Sequence, residues 1–123
     1  SADQAFLKKT MKIIEANFHD EKFSVELLAG KTNMSVSQLN RKLNALIDQP
    51  AGQLIRSLRL QRAADLLRQK PGSISEICYG LGFTDQAYFS RAFKKQFGIS
   101  PRDYKKKINF PFITIFYAVL LLF

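Results

Sequence analysis

The sequence predicts an all-α fold of seven helices, arranged as a bundle with two helix-turn-helix units joined by a long linker helix. Three observations predict it. Apolar residues recur at three- and four-residue steps along most of the chain, the period of a helix with one buried face. Ser, Pro and Gly stand where such helices must start and stop. One pattern also occurs twice. Ser24, Val25, Leu28, Ala29 and Met34 match Ser73, Ile74, Ile77, Cys78 and Phe83 at a constant offset of 49. After one inserted residue, Leu39, Arg41 and Leu43 match Phe89, Arg91 and Phe93 at an offset of 50.

Residues 3–18 read as an amphipathic helix with Phe6, Leu7, Met11, Ile14 and Phe18 on its apolar face. His19 to Lys22 break the pattern. Residues 24–47 form the first unit: Ser24 caps one helix, and Ser35 with Gln38 forms a capping box that starts the next. Leu39, Leu43 and Leu46 are its buried stripe. Residues 51–69 form the linker helix, entered through Pro50 and stopped by Pro71 and Gly72. Leu60, Ala63, Ala64 and Leu67 face inward, and Arg56, Arg59 and Arg62 make a basic stripe. Residues 73–97 form the second unit, with Ser73 and Glu76 as a capping box, Thr84 as the cap of the second helix and Gly98 as its stop. Ser100 and Pro101 then open a short last helix. The domain is expected over residues 1–107, and residues 108–123 are an apolar tail of separate character.

The chain has 123 residues, enough for one domain with a core. Its formal charge of +9 is unevenly placed. Residues 51–107 carry twelve Lys and Arg against four Asp and Glu, whereas residues 1–50 carry seven against six. A basic balance of this kind points to a polyanionic partner, nucleic acid before an anionic membrane surface. With one cysteine and one histidine, no disulfide can form within the chain, a reducing compartment fits, and no metal site is expected. The chain begins at Ser1 rather than Met and shows no signal peptide, which reads as a fragment or a trimmed product.

An enzyme finds little support. Gly80-Leu81-Gly82 lacks the third glycine and the preceding strand of a dinucleotide motif. Cys78 matches Ala29 on an inward face, so it reads as a core thiol rather than a nucleophile. His19 lies in a polar connector, and no acid–base constellation or cofactor motif stands out.

Packing explains the apolar positions of both units but not the outward arginine of each second helix. A helix-turn-helix lays its second helix in the DNA major groove, where side chains near the helix start meet base edges. Those are Ser37, Asn40 and Arg41 in the first unit, and Gln86, Ala87, Ser90 and Arg91 in the second. Arginine can pair with guanine, asparagine or glutamine with adenine, and an alanine methyl can touch thymine. Taken singly, Asn40, Gln86 and Ser90 also fit an ordinary solvated surface; Arg41 and Arg91 gain from their matched positions. Phosphate contacts are expected from Ser35, Arg56, Thr84, Tyr88, Lys94 and Lys95, which position without reading sequence.

Residues 24–43, 55–67 and 73–104 carry a resemblance. "GFTDQAYFSRAFK" (82–94) and "SPRDY" (100–104) match the G-F-x-D-x-x-Y-F-x-R-x-F-K and S-P-x-x-Y patterns of AraC/XylS-type transcription regulators. The resemblance covers residues 5–106. It implies seven helices, two readers entering successive major grooves of one duplex face, and no enzymatic activity. It implies double-stranded DNA as partner, with RNA polymerase as a further candidate, a regulatory domain upstream, and a cytoplasmic location on DNA. The opening "SADQAFLKK" resembles the start of this domain in bacterial response regulators and hybrid sensor kinases, which would place it on the cytoplasmic side of the inner membrane. Asn33 stands where the family often has glycine, and asparagine tolerates the left-handed turn. The tail "INFPFITIFYAVLLLF" has no counterpart in the family.

That tail raises the alternative of a membrane-associated or tail-anchored module. Its sixteen residues span about 24 Å as a helix, short of the roughly 30 Å of bilayer hydrocarbon. The tail reads rather as an addition at a cloned boundary or out of frame, and self-association through it is the further expectation, because an apolar patch of that size rarely stays free.

Overall fold

Seven α-helices make up the domain in the computed structural model, which describes residues 1–69, 72–109 and 121–122. They are α1 (Ala2–Asn17), α2 (Val25–Lys31), α3 (Val36–Ile47), α4 (Ala51–Gln69), α5 (Ile74–Gly80), α6 (Gln86–Phe97) and α7 (Pro101–Asn109). The repeat is carried through to element length: α2 and α5 have seven residues each, α3 and α6 twelve each.

Two apolar cores share one helix. Ile14, Phe23, Leu28, Ala29, Leu39 and Leu43 pack with Ala51, Leu54 and Ile55 of α4. Ile77, Cys78, Leu81, Phe83, Phe89 and Phe93 pack with Leu60, Ala63, Ala64 and Leu67 of the same helix. Leu60, Ala63 and Ala64 follow Ala51, Leu54 and Ile55 by nine residues each, and nine residues at about 100° apiece turn the apolar side to the opposite face. So α4 has no single apolar stripe. It presents one face to the first unit and the opposite face to the second.

Caps fix where the helices begin. Ser24 Oγ accepts the Leu27 N–H at 3.2 Å. Ser35 and Gln38 form the full expected box, with Gln38 N–H on Ser35 Oγ at 3.1 Å and Ser35 N–H on Gln38 Oε1 at 2.9 Å. Ser100 Oγ accepts the Asp103 N–H at 3.1 Å and Pro101 opens α7. Both long second helices end on a left-handed residue, Asp48 at φ 56° and Gly98 at φ 85°.

Several expectations are corrected. Met11 is exposed, and Thr10 takes the buried place, its hydroxyl donating to the Phe6 carbonyl at 2.8 Å so that no polar atom is left bare. Leu46 is only half-buried. The residue capping α6 is Asp85, not Thr84: its carboxylate accepts the N–H groups of Ala87 at 2.9 Å and Tyr88 at 3.3 Å. The residue inserted between the two repeats shifts the cap by one, so Asp85 occupies the place of Ser35. The box at Ser73 is half made: Ser73 Oγ accepts the Glu76 N–H, but the Glu76 carboxylate takes the Ser73 hydroxyl rather than its backbone. Pro71, read as a stop for α4, lies outside the described residues.

Aromatic residues fill the second core where the first uses leucine. Phe83 and Phe89 meet edge to face at 5.0 Å between centroids, and Phe93 sits 4.6 Å from Phe97 and 5.3 Å from Tyr104 of α7. Among the described residues no helix is long and apolar enough to cross a membrane. The expectations for the tail fall chiefly on residues 110–120 and 123, outside the described residues; Leu121 and Leu122 are exposed.

Candidate nucleic-acid interface

Leu39 and Leu43 of α3 and Phe89 and Phe93 of α6 are fully buried at matched positions. Each anchors one side of its helix and thereby turns the other side outward. On α3 that side carries Ser37 and Arg41, both exposed. On α6 it carries Ala87 and Arg91, exposed, with Gln86 and Ser90 half-buried at its edge. Ser37 and Arg41 are one helical step of four apart, as are Ala87 and Arg91, so each pair lies on one line along its helix.

The helices differ at their far ends. Asn44 and Ala45 of α3 stand where α6 has Lys94 and Lys95, all four exposed. Lys42 adds a charge to α3, but its Nζ lies 4.3 Å above the Phe6 ring, a cation–π contact that ties it to α1. The outward face of the second helix is therefore the more basic one.

Asn40 is placed differently from the expectation. It is half-buried, and its Oδ1 accepts the Ala51 N–H at 2.9 Å. Ala51 opens α4, and its N–H has no partner inside that helix. Asn40 thus caps the linker helix from α3, and its acceptor is spent on the fold rather than turned toward a base edge. Ser90, its counterpart on α6, makes no such bond among the described residues.

Among the residues expected to hold phosphate, Arg56, Tyr88 and Lys95 come together. With Arg91, Gln49, Gln53 and Gln96 they line one open groove between α4 and α6. Arg56 Nη1 and Tyr88 Oη are 3.5 Å apart, and Gln96 Nε2 donates to the Ser57 carbonyl at 3.1 Å, pinning α6 to α4. Thr84 is exposed and lines a neighbouring cleft with Arg56 and Tyr88. Lys94 is exposed. Ser35 has committed its N–H and one hydroxyl lone pair to the capping box, which leaves its hydroxyl proton. The N-terminus of α6 is already met by the Asp85 carboxylate, whereas that of α3 has a neutral serine cap.

The basic stripe of α4 breaks at its middle residue. Arg59 is half-buried, with Nε on the Phe18 carbonyl at 2.8 Å and Nη2 on the Asp20 carbonyl at 2.9 Å. Arg56 and Arg62 remain exposed. Nothing in the three-residue spacing separated Arg59 from its neighbours. The Asp85 cap, by contrast, carried a readable signal, because the offset of 50 puts it opposite Ser35. Cys78 is buried, and burial, with the charge of Asp85 second, pushes its thiol pKa up, as suits a packing residue. Among the described residues no three His, Cys, Asp or Glu side chains group to hold a metal.

A family model described as a helix-turn-helix domain matches residues 28–107. Histidine kinase P4 of Formosa agariphila is 35% identical over 109 residues, covering 89% of this chain. The chain spans 8% of that protein's length, and no more than about half of other curated relatives. Among solved structures, a transcriptional regulator from Chromobacterium violaceum, described as an AraC-type DNA-binding domain-containing protein, superposes with a TM-score of 0.79 at 28% identity, covering 89% of this chain and 97% of that one. The DNA-binding domain of AdpA, a global transcriptional factor solved in complex with a target DNA, superposes with a TM-score of 0.75 at 26% identity, covering 82% and 90%.

Proposed function

The chain belongs to the AraC-type helix-turn-helix family, and on that premise we propose that it binds double-stranded DNA sequence-specifically as the output domain of a bacterial transcription regulator. In this reading α3 and α6 enter successive major grooves on one face of the duplex. The observation that carries it is the duplicated outward face: Arg41 and Arg91 stand exposed at equivalent positions of two helices whose opposite sides are fully buried.

Ser37 and Arg41 read the first half-site, and Gln86, Ala87, Ser90 and Arg91 the second. Ser35, Arg56, Thr84, Tyr88, Lys94 and Lys95 hold phosphates, the last four from the second unit, so that unit supplies most of the sequence-independent attraction. Asn40 contributes by holding α4 to α3. A regulatory domain upstream supplies the signal, and RNA polymerase is a further partner. The relative named as a histidine kinase supports output from a two-component system.

Selection of bound duplexes from a random pool tests the reading. The expected result is two short motifs about one helical turn, roughly 10 base pairs, apart, with binding that weakens steeply as salt rises. A pool that yields no enriched motif contradicts it.

A further inference from the structure

α4 carries both units, and a second link between them lies off that helix. Its apolar halves face opposite ways, one core to each, and Arg59 lies between Ile55 of one core and Leu60 of the other. Away from α4 the units approach through the connector that follows α1. Phe18 packs against both cores. Its carbonyl and that of Asp20 receive Nε and Nη2 of Arg59. The turn of the second unit closes over the same spot. A Cβ on Gly82 would lie 2.7 Å from the Phe18 carbonyl oxygen, 3.1 Å from Arg59 Nη2 and 3.2 Å from the Asp20 carbonyl carbon. Beside this contact runs an open cleft, lined by Phe23, Ser24 and Val25 of the first unit and by Phe83, Thr84 and Tyr88 of the second. Beside the Gln96–Ser57 and Arg56–Tyr88 contacts on the α4–α6 side, this point ties the second unit to the connector after α1, and the cleft next to it is left open.

We infer that Arg59 is a positioning residue that locks the two recognition helices at one separation and angle, and so sets the half-site spacing the protein accepts; this rests on the DNA-binding reading above. The chemistry suits a lock. The guanidinium is planar and keeps its charge under all ordinary conditions, so its two donors reach two carbonyls in one fixed geometry. Burial lowers its pKa and the nearby Asp20 charge opposes that, which leaves it a cation. Charge-assisted bonds to two carbonyls of the connector, two residues apart, fix that connector in both position and twist. Arg56 and Arg62, at the same spacing on α4, are exposed, and among the described residues they make no bond to a backbone carbonyl of the other unit.

The test measures affinity for duplexes carrying both selected half-sites at the best spacing and with one base pair inserted or removed. One base pair moves the second half-site by about 3.4 Å and turns it by about a tenth of a turn. The wild-type protein is expected to lose about tenfold or more in affinity for that change, and Arg59→Met less than about threefold, with weaker binding at the best spacing. Arg59→Lys, which keeps the charge and can still donate, restores part of the discrimination. Should Arg59→Met not fold, Arg59→Gln takes its place. A second readout is independent of DNA: residual dipolar couplings from α2–α3 and α5–α6 fit one alignment tensor in the wild type and two in Arg59→Met. A folded Arg59→Met with the wild-type spacing profile and a single tensor overturns the inference. If the wild type selects no duplex at all, the DNA reading fails, and the couplings still decide whether Arg59 holds the units together.

Discussion

Asn33 and Gly82 occupy the same position in the two turns, 49 residues apart, and both adopt the left-handed conformation, at φ 58° and 84°. The turns share a backbone but differ in surroundings. Asn33 is exposed, and asparagine enters this region with little strain. Gly82 is buried against the Phe18 carbonyl, where any Cβ would sit at 2.7 Å. The first turn tolerates a side chain because nothing covers it, and the second is closed to one because the other unit lies on it.

Gly82→Ala therefore combines left-handed strain with a backbone clash and should destabilise by about 2–4 kcal/mol. Asn33→Ala carries the strain alone and should cost about 1–2 kcal/mol. Urea unfolding of both variants checks the order. Equal losses would show that the Gly82 contact relaxes freely.

Asn40 and Ser90 occupy matched positions with different tasks. Asn40→Ala removes the acceptor of the Ala51 N–H and should cost about 1 kcal/mol of stability, as loss of a helix cap does, with the selected DNA motif unchanged. Ser90→Ala should leave stability within about 0.5 kcal/mol and alter preference at one base position. Thermal melts paired with duplex selection separate the two. A motif change in Asn40→Ala without loss of stability would return Asn40 to the readers.

Asp85→Ala should cost about 1 kcal/mol, since two N–H groups of α6 lose their acceptor, whereas Thr84→Ala should be close to neutral. Both effects are read by thermal melts. A larger loss at Thr84 than at Asp85 would contradict the cap seen here.

The fold was legible because each helix carries local instructions. Caps at Ser24, Ser35 and Ser100, the stop at Gly98, and the stripes through Leu39–Leu43 and Phe89–Phe93 are all written within a few residues. What was not legible depends on partners distant in sequence. Asn40 looks like any exposed polar residue until Ala51 is placed above it, eleven residues on. Arg59 sits in a run of three evenly spaced arginines and is singled out only by carbonyls about forty residues earlier. Met11 fits the apolar period as well as Thr10 does, and the choice rests on a hydroxyl that finds its bond within its own helix. The outward arginines were legible because the repeat marks them twice.

If Arg41 and Arg91 read two separate half-sites, base-resolved duplex selection with Arg41→Ala and Arg91→Ala will show it. Each variant should lose about 1–3 kcal/mol at the wild-type site and flatten base preference in one half-site while keeping the other, and the two variants should affect opposite halves. Lys94→Ala, run beside them, should weaken all sequences about equally. If both arginine variants return the wild-type motif at undiminished affinity, α3 and α6 are not the readers.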